Sequence, residues 1–186
     1  MLIFMSGVPH SGKSTFVALL KEYISSAVQV THINPKDFLP EEYVQADDET
    51  RTQYNIAAWS VALEEFNNHL SRSDDELIIL DTCGASYNSM APLVNNGKIA
   101  GHAIIYINVD APDELLAEFA GKDYVGDEII FHYRTTLSST APALRKKADA
   151  YFSIENGKNN VVNLQWQARE VAKYILSRLA QKLIGR

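Results

Sequence analysis

The chain is short of several things, and each shortage excludes something. It has one cysteine, Cys83, so no internal disulfide framework holds it together, and a reducing compartment suits it. No stretch approaches the roughly 20 apolar residues of a bilayer-crossing helix. The apolar start from Met1 to Met5 is too short for a secretory leader. A cytoplasmic location (host cytoplasm if the chain is viral) and no membrane partner are therefore expected. Positive charge is scarce as well: 17 Lys and Arg stand against 23 Asp and Glu, a net charge of −6. A protein that grips nucleic acid mainly by neutralising its backbone is usually basic, so any such contact should be local. Arg145, Lys146 and Lys147 offer one cluster for it, although three cations at a helix end commonly just face solvent. Cysteine and histidine are too few for a zinc site.

What is present is an ordinary globular composition, 46% hydrophobic and 22% charged over 186 residues, enough for one domain with a full core. Apolar runs alternate with helical patterns, which predicts a five-stranded, mostly parallel sheet flanked by helices. The expected strands are Leu2–Met5, Val28–Ile33, Glu76–Leu80, Ala103–Val109 and Tyr151–Ile154. The expected helices are Thr15–Tyr23, a long one over Thr52–Leu70 with Ile56, Trp59, Leu63 and Phe66 on one face, Pro112–Phe119, Glu128–Leu137 and Gln165–Leu183. Residues 82–101, rich in Gly, Asn, Ser and Pro, read as an active-site loop with one helical turn at most. Neither a repeat nor a linker divides the chain, so residues 1–186 are expected to form a single domain, with a helical lid over 112–139.

The most specific feature is Gly7 to Ser14, Gly-Val-Pro-His-Ser-Gly-Lys-Ser, which fits G-x-x-x-x-G-K-[ST] at every fixed position. It follows an apolar strand and precedes a helical pattern, the context that makes the motif a P-loop. Gly7 and Gly12 let the backbone turn sharply and approach a ligand closely. The intervening amides and the positive end of the next helix then surround a phosphate. Nucleotide contacts are expected from Gly7, Val8, Pro9, His10, Ser11, Gly12, Lys13, Ser14 and Thr15. Lys13 should reach the β- and γ-phosphates, and Ser14 should ligate Mg²⁺. His10 is expected to face outward rather than act as a base. The cofactors implied are ATP and Mg²⁺.

Asp81 ends the apolar run Leu77-Ile78-Ile79-Leu80, a Walker B pattern. Ligands of open parallel sheets sit at the carboxyl ends of strands, so Asp81 should emerge beside the loop as a second metal ligand. Asp37 follows the second strand on the same edge and is the candidate base for an attacking hydroxyl, with Asp47 and Asp48 as alternatives. Phosphoryl transfer also needs cations over the triphosphate; Arg134 and Lys122 are the two in the lid segment. Cys83 reads as a small apolar neighbour of Asp81 rather than a nucleophile.

The loop together with Asp81-Thr82 resembles the small P-loop kinases, most of all the kinase domain of phage polynucleotide kinases and their relatives. Ile33-Asn34 followed by Asp37 is similar to their base strand, and Asp81-Thr82-Cys83 to their metal-side strand, whose threonine lies near the acceptor. The tail from Ala148 to Gly157 is similar to the last strand and turn of nucleotide kinases. That likeness implies that the turn at Asn156-Gly157 lies against adenine. Leu39 and Pro40 stand where those enzymes carry an acceptor-side arginine, and the lid carries few arginines. Both departures turn the resemblance towards a related phage group that phosphorylates 5-hydroxymethyluracil within DNA. The expected activity is thus transfer of the γ-phosphate to a nucleic-acid hydroxyl. The alternatives are a nucleotide, nucleoside or small-metabolite kinase and, more distantly, a nucleotide-dependent switch. Against the switch, the sequence has no Asn-Lys-x-Asp guanine signature.

Overall fold

Five short runs of Val, Ile, Leu and Phe lie side by side as one parallel sheet. The computed structural model describes residues 1–71, 77–84, 86–121, 125–157 and 160–184. The strands are β1 (Leu2–Ser6), β2 (Val30–Ile33), β3 (Leu77–Asp81), β4 (Ile104–Asp110) and β5 (Ala150–Glu155), in spatial order β2-β3-β1-β4-β5. All four pairings are parallel; Leu2 lies opposite Ile78 and Ile104, and Met5 opposite Asp81 and Ile107. Every residue of β1 and β3 is buried, which is why these strands are continuous apolar runs rather than alternating ones. From β2 the chain returns to β3, then crosses β1 to reach β4. The reversal point is therefore the carboxyl end of β1, where the crevice of such sheets opens and where Gly7 begins.

Among the described residues six α-helices cover the sheet: α1 (Lys13–Ile24), α2 (Asp48–Leu70), α3 (Tyr87–Ile99), α4 (Asp113–Ala120), α5 (Asp127–Lys147) and α6 (Asn160–Ile184). On one face Ile3, Met5, Ile79, Ile105 and Ile107 pack with Phe16 and Leu20 of α1 and Ala168, Val171 and Ile175 of α6. On the other, Leu2, Phe4, Ile78, Leu80, Ile104 and Tyr106 meet Phe66 of α2, Met90 and Val94 of α3 and Leu144 of α5. Burying each Val, Leu, Ile, Phe or Met side chain among them is worth about 1.5–3 kcal/mol relative to exposure.

Three expectations are corrected. The helix expected from Thr52 starts at Asp48, because Asp47 caps it by accepting the Thr50 amide at 2.8 Å. Its inward stripe is Ala58, Ala62 and Phe66, with Trp59 and Leu63 partly buried and Ile56 63% exposed; two alanines let the helix lie close to the sheet. The supposed loop over 82–101 contains α3, capped by Ser86. Its Met90, Leu93, Val94 and Gly97 fall at i, i+3, i+4 and i+7, and burial of that face outweighs the breakers Pro92 and Gly97. Similarly, α5 runs ten residues past Leu137, through Pro142, because Leu137, Thr140 and Leu144 continue its buried face. Strand ends otherwise differ from expectation by one or two residues; Glu76 and Lys122 fall outside the described residues. Among the described residues no helix is long and apolar enough to cross a membrane.

Candidate nucleotide site

The loop between β1 and α1 is held from both sides. Gly7 has φ 141, and a Cβ there would run into the Val109 carbonyl of β4. Its amide donates to the Cys83 carbonyl beyond β3 at 3.2 Å. Gly12 lies against Asn156, whose Nδ2 donates to the Ser11 carbonyl at 3.0 Å. The Asn156 backbone amide in turn donates to the Asp110 carbonyl at 2.8 Å. Between the glycines, His10 adopts a left-handed φ of 65. Phe16 donates to Gly12 at 2.9 Å to begin α1, and no side chain caps that helix, so its N-terminal amides face the loop. Lys13 folds back over the loop, its Nζ donating to the carbonyls of Gly7 at 2.9 Å and Val8 at 2.8 Å. Burial pushes the pKa of this ammonium below the ordinary lysine range; negative charge at Cys83 and Asp81 opposes that shift, while Lys36 adds to it. A triphosphate could displace both carbonyl contacts and supply the anion that the buried ammonium lacks.

Asp81 reaches the same edge from β3 and is 3% exposed. Ser14 Oγ donates to its Oδ2 at 3.2 Å, Asn34 Nδ2 donates at 3.3 Å, and His32 Nε2 lies 3.4 Å away. Asn34 also accepts the Lys36 amide at 3.0 Å, which caps the 3-10 turn Pro35–Phe38. Asp37 sits exposed on that turn, beyond the carboxyl end of β2. Thr82 Oγ1 accepts the Gly84 amide at 2.9 Å and so braces the turn after β3. Arg134 projects from α5 to the end of β4: Nη1 donates to Asp110 at 2.7 Å, Nε to Asp113 at 2.8 Å and Nη2 to the Ala111 carbonyl. Burial works against its charge, but the hydrogen bonds to Asp113 and Asp110 outweigh it and raise the pKa. The expected set Gly7–Thr15, Asp81, Asp37 and Arg134 thus surrounds one sheet edge, with Arg134 engaged by carboxylates and Asn156 behind the loop as a brace.

The family described as chromatin associated protein KTI12 matches residues 1–127. The chain belongs to the KTI12 family. Among curated proteins, none matches it. Its backbone is similar to Kti12 of Chaetomium thermophilum in complex with ADP-AlF3, at 16% identity and a TM-score of 0.55 over 95% of this chain and 98% of that one. It is similar to the shikimate kinase of Acinetobacter baumannii in complex with shikimate, at 18% identity and a TM-score of 0.55 over 97% and 93%. A chain of the PezAT toxin–antitoxin system of Streptococcus pneumoniae is similar at 11% identity and a TM-score of 0.61 over 100% and 88%. These likenesses establish the P-loop kinase fold that the motif implies, in a family other than the phage kinases that the short strand motifs bring to mind.

Several contacts of this KTI12-family site are not written in any one stretch of sequence. Asn34 and His32 become partners of Asp81 only because β2 pairs with β3, Ile33 opposite Leu80. Val8, a variable position of the motif, is buried with Ala111, Leu116, Ile130 and Leu137, which ties the loop to α4 and α5. Asp110 and Asp113 engage Arg134 from 24 and 21 positions away in the sequence. The 3.6-residue spacing of α5 could have shown that Tyr133 shares a side of the helix with Ile130 and Leu137.

Proposed function

We propose that this chain transfers the γ-phosphate of ATP to a hydroxyl group, with Mg²⁺. The observation that carries the reading is the Ser14 hydroxyl and the Asp81 carboxylate meeting at 3.2 Å beside the loop that bears Lys13. The donor set fits the ion, since Mg²⁺ in such sites takes one or two protein oxygens and otherwise phosphate oxygens and water. Ser14 and Asp81 would hold it, and Asn34 and His32 would orient the carboxylate. When bound, it neutralises charge on the β- and γ-phosphates. Loop amides and Lys13 bind and orient the triphosphate. Asp37 takes the proton of the acceptor hydroxyl as its oxygen bonds to the γ-phosphorus and the bond to the bridging oxygen of ADP breaks. For Arg134 to contact the transferring group it must exchange Asp110 and Asp113 for phosphate oxygens, with residues 112–139 as the closing segment. The ADP-AlF3 on a Kti12 protein of the same fold supports nucleotide phosphate chemistry here.

For the acceptor, Leu39 and Pro40 in place of an acceptor-side arginine, with the few arginines of the lid, favour the hydroxymethyl group of 5-hydroxymethyluracil in DNA. A second reading, a nucleoside or small-metabolite alcohol, is favoured by charge. Residues 35–51 hold Asp37, Glu41, Glu42, Asp47, Asp48 and Glu49 against Lys36 and Arg51, an unfavourable surface for a polyanion. Transfer of ³²P from labelled ATP to hydroxymethylated DNA, free nucleosides and small alcohols tests both. Label on no acceptor, with free phosphate as the sole labelled product beside ADP, would replace the kinase reading with that of an ATPase.

A further inference from the structure

Arg134 stands on α5 one turn after Ile130 and one turn before Leu137, both packed with Val8 of the phosphate loop and with Ala111. It therefore shares the side of the helix that faces the loop. Its guanidinium is engaged at the end of β4. Nη1 donates to Asp110 at 2.7 Å, Nε and Nη2 lie 2.8 and 2.7 Å from one oxygen of Asp113, and Nη2 donates to the Ala111 carbonyl at 2.6 Å. Two carboxylates thus share a single guanidinium beside a loop built for phosphate.

Neither carboxylate depends on the arginine. The Asp110 oxygen that meets Nη1 also accepts the Ala111 amide at 2.9 Å, and its side chain is half exposed. Asp113 is exposed and opens α4, where a helix N-terminus favours negative charge. Arg134 is the more buried partner of both pairs, so it needs an anion wherever it turns. Phosphate oxygens offer its planar fork the same paired contacts that carboxylates do. One side chain thus has two discrete sets of partners, carboxylates in one and phosphate in the other.

We propose that Asp110 and Asp113 are positioning residues that compete with the γ-phosphate of a bound triphosphate for Arg134, so that each carboxylate lowers the affinity of the site for ATP. The inference rests on the kinase reading, in which Arg134 meets the transferring group, but it can be tested without turnover. Competition has a sign that loss of structure does not share. Removing a competitor tightens binding, because apparent affinity is the intrinsic value scaled by the fraction of molecules in which the arginine is released. The full chain and its Asp113→Asn variant, which keeps the size of the side chain and removes the charge, are titrated with fluorescent analogues of ADP and of non-hydrolysable ATP.

The expected result is about fivefold tighter binding of the ATP analogue, at the low end of couplings between sites because the pairs are partly exposed, and no change for ADP. Arg134→Ala should weaken the ATP analogue, and adding Asp113→Asn to it should restore nothing, since no arginine is left to release. Unchanged or weaker ATP binding in Asp113→Asn overturns the proposal. So does an equal gain for ADP, or a gain of the same size in the double variant, either of which marks plain charge repulsion. Should Asp113→Asn fail to fold, Asp110→Asn makes the same comparison, its amide oxygen still able to accept from Ala111. Transfer of ³²P, measured in parallel, tells the two readings apart. Transfer without the gain sinks this proposal alone, and the gain without transfer sinks the kinase reading alone.

Discussion

Replacing Gly7 with alanine should cost far more than the same change at Gly101, and the difference measures how closely β4 presses on the phosphate loop. Both glycines have positive φ, 141 at Gly7 and 80 at Gly101. Around Gly101 nothing lies within 4 Å of an added Cβ. Its penalty is therefore the left-handed backbone alone, about 1 kcal/mol after the gain from a stiffer unfolded chain. At Gly7 the backbone term is about 1–3 kcal/mol. Overlap of the methyl with the Val109 carbonyl adds about 1–3 kcal/mol, because β4 is a buried strand that cannot retreat freely. The sum, about 2–6 kcal/mol, is a large part of the roughly 5–15 kcal/mol that holds a domain together. Urea denaturation followed by circular dichroism reads the gap as a midpoint shift. With a slope of about 2 kcal/mol/M, Gly7→Ala should melt at least about 0.5 M below Gly101→Ala, with unchanged slope. Equal midpoints would refute the account, since the loop could not then lie against Val109.

Lys13→Ala should abolish phosphate transfer and leave the circular dichroism spectrum unchanged; full activity would remove the kinase reading. The same lysine sets a pH dependence. Its folded-state pKa is lowered, so between that value and the ordinary lysine range the unfolded chain binds more protons and stability rises with pH. In Lys13→Met that slope should flatten when urea midpoints are compared through the alkaline window. Asp81→Asn should raise the Mg²⁺ concentration for half-maximal transfer at least about tenfold, read by metal titration, with a smaller rise for Asn34→Ala, which only orients the carboxylate. Asn156→Ala removes the hydrogen bond to Ser11, worth about 1 kcal/mol, and should weaken binding of a fluorescent ATP analogue severalfold.

The phosphate loop was legible because its chemistry is local: consecutive backbone amides do the binding, so their spacing is written in consecutive residues. Asp81 was legible for a related reason, since a continuous apolar run can only end at one edge of a buried parallel sheet. What stayed hidden depends on tertiary contacts. Pro92, Gly97 and Pro142 are breakers in isolation, and only the packing of Met90, Val94 and Leu144 on the sheet makes helices of their segments. The partners of Arg134 and Asp81 come from other elements, so no window of sequence contains them. Family membership was hidden too, because a motif shared by many P-loop kinases cannot tell one family of them from another.

Val8 has a mechanical implication. Its side chain is 1% exposed within a small apolar nucleus supplied mostly by α4 and α5. Loop and helices therefore share one packed nucleus, so a swing of those helices would have to repack the side chain at Val8. Occupancy at one end of the molecule would be felt as tension at the other, through a single aliphatic residue that the motif itself leaves undefined.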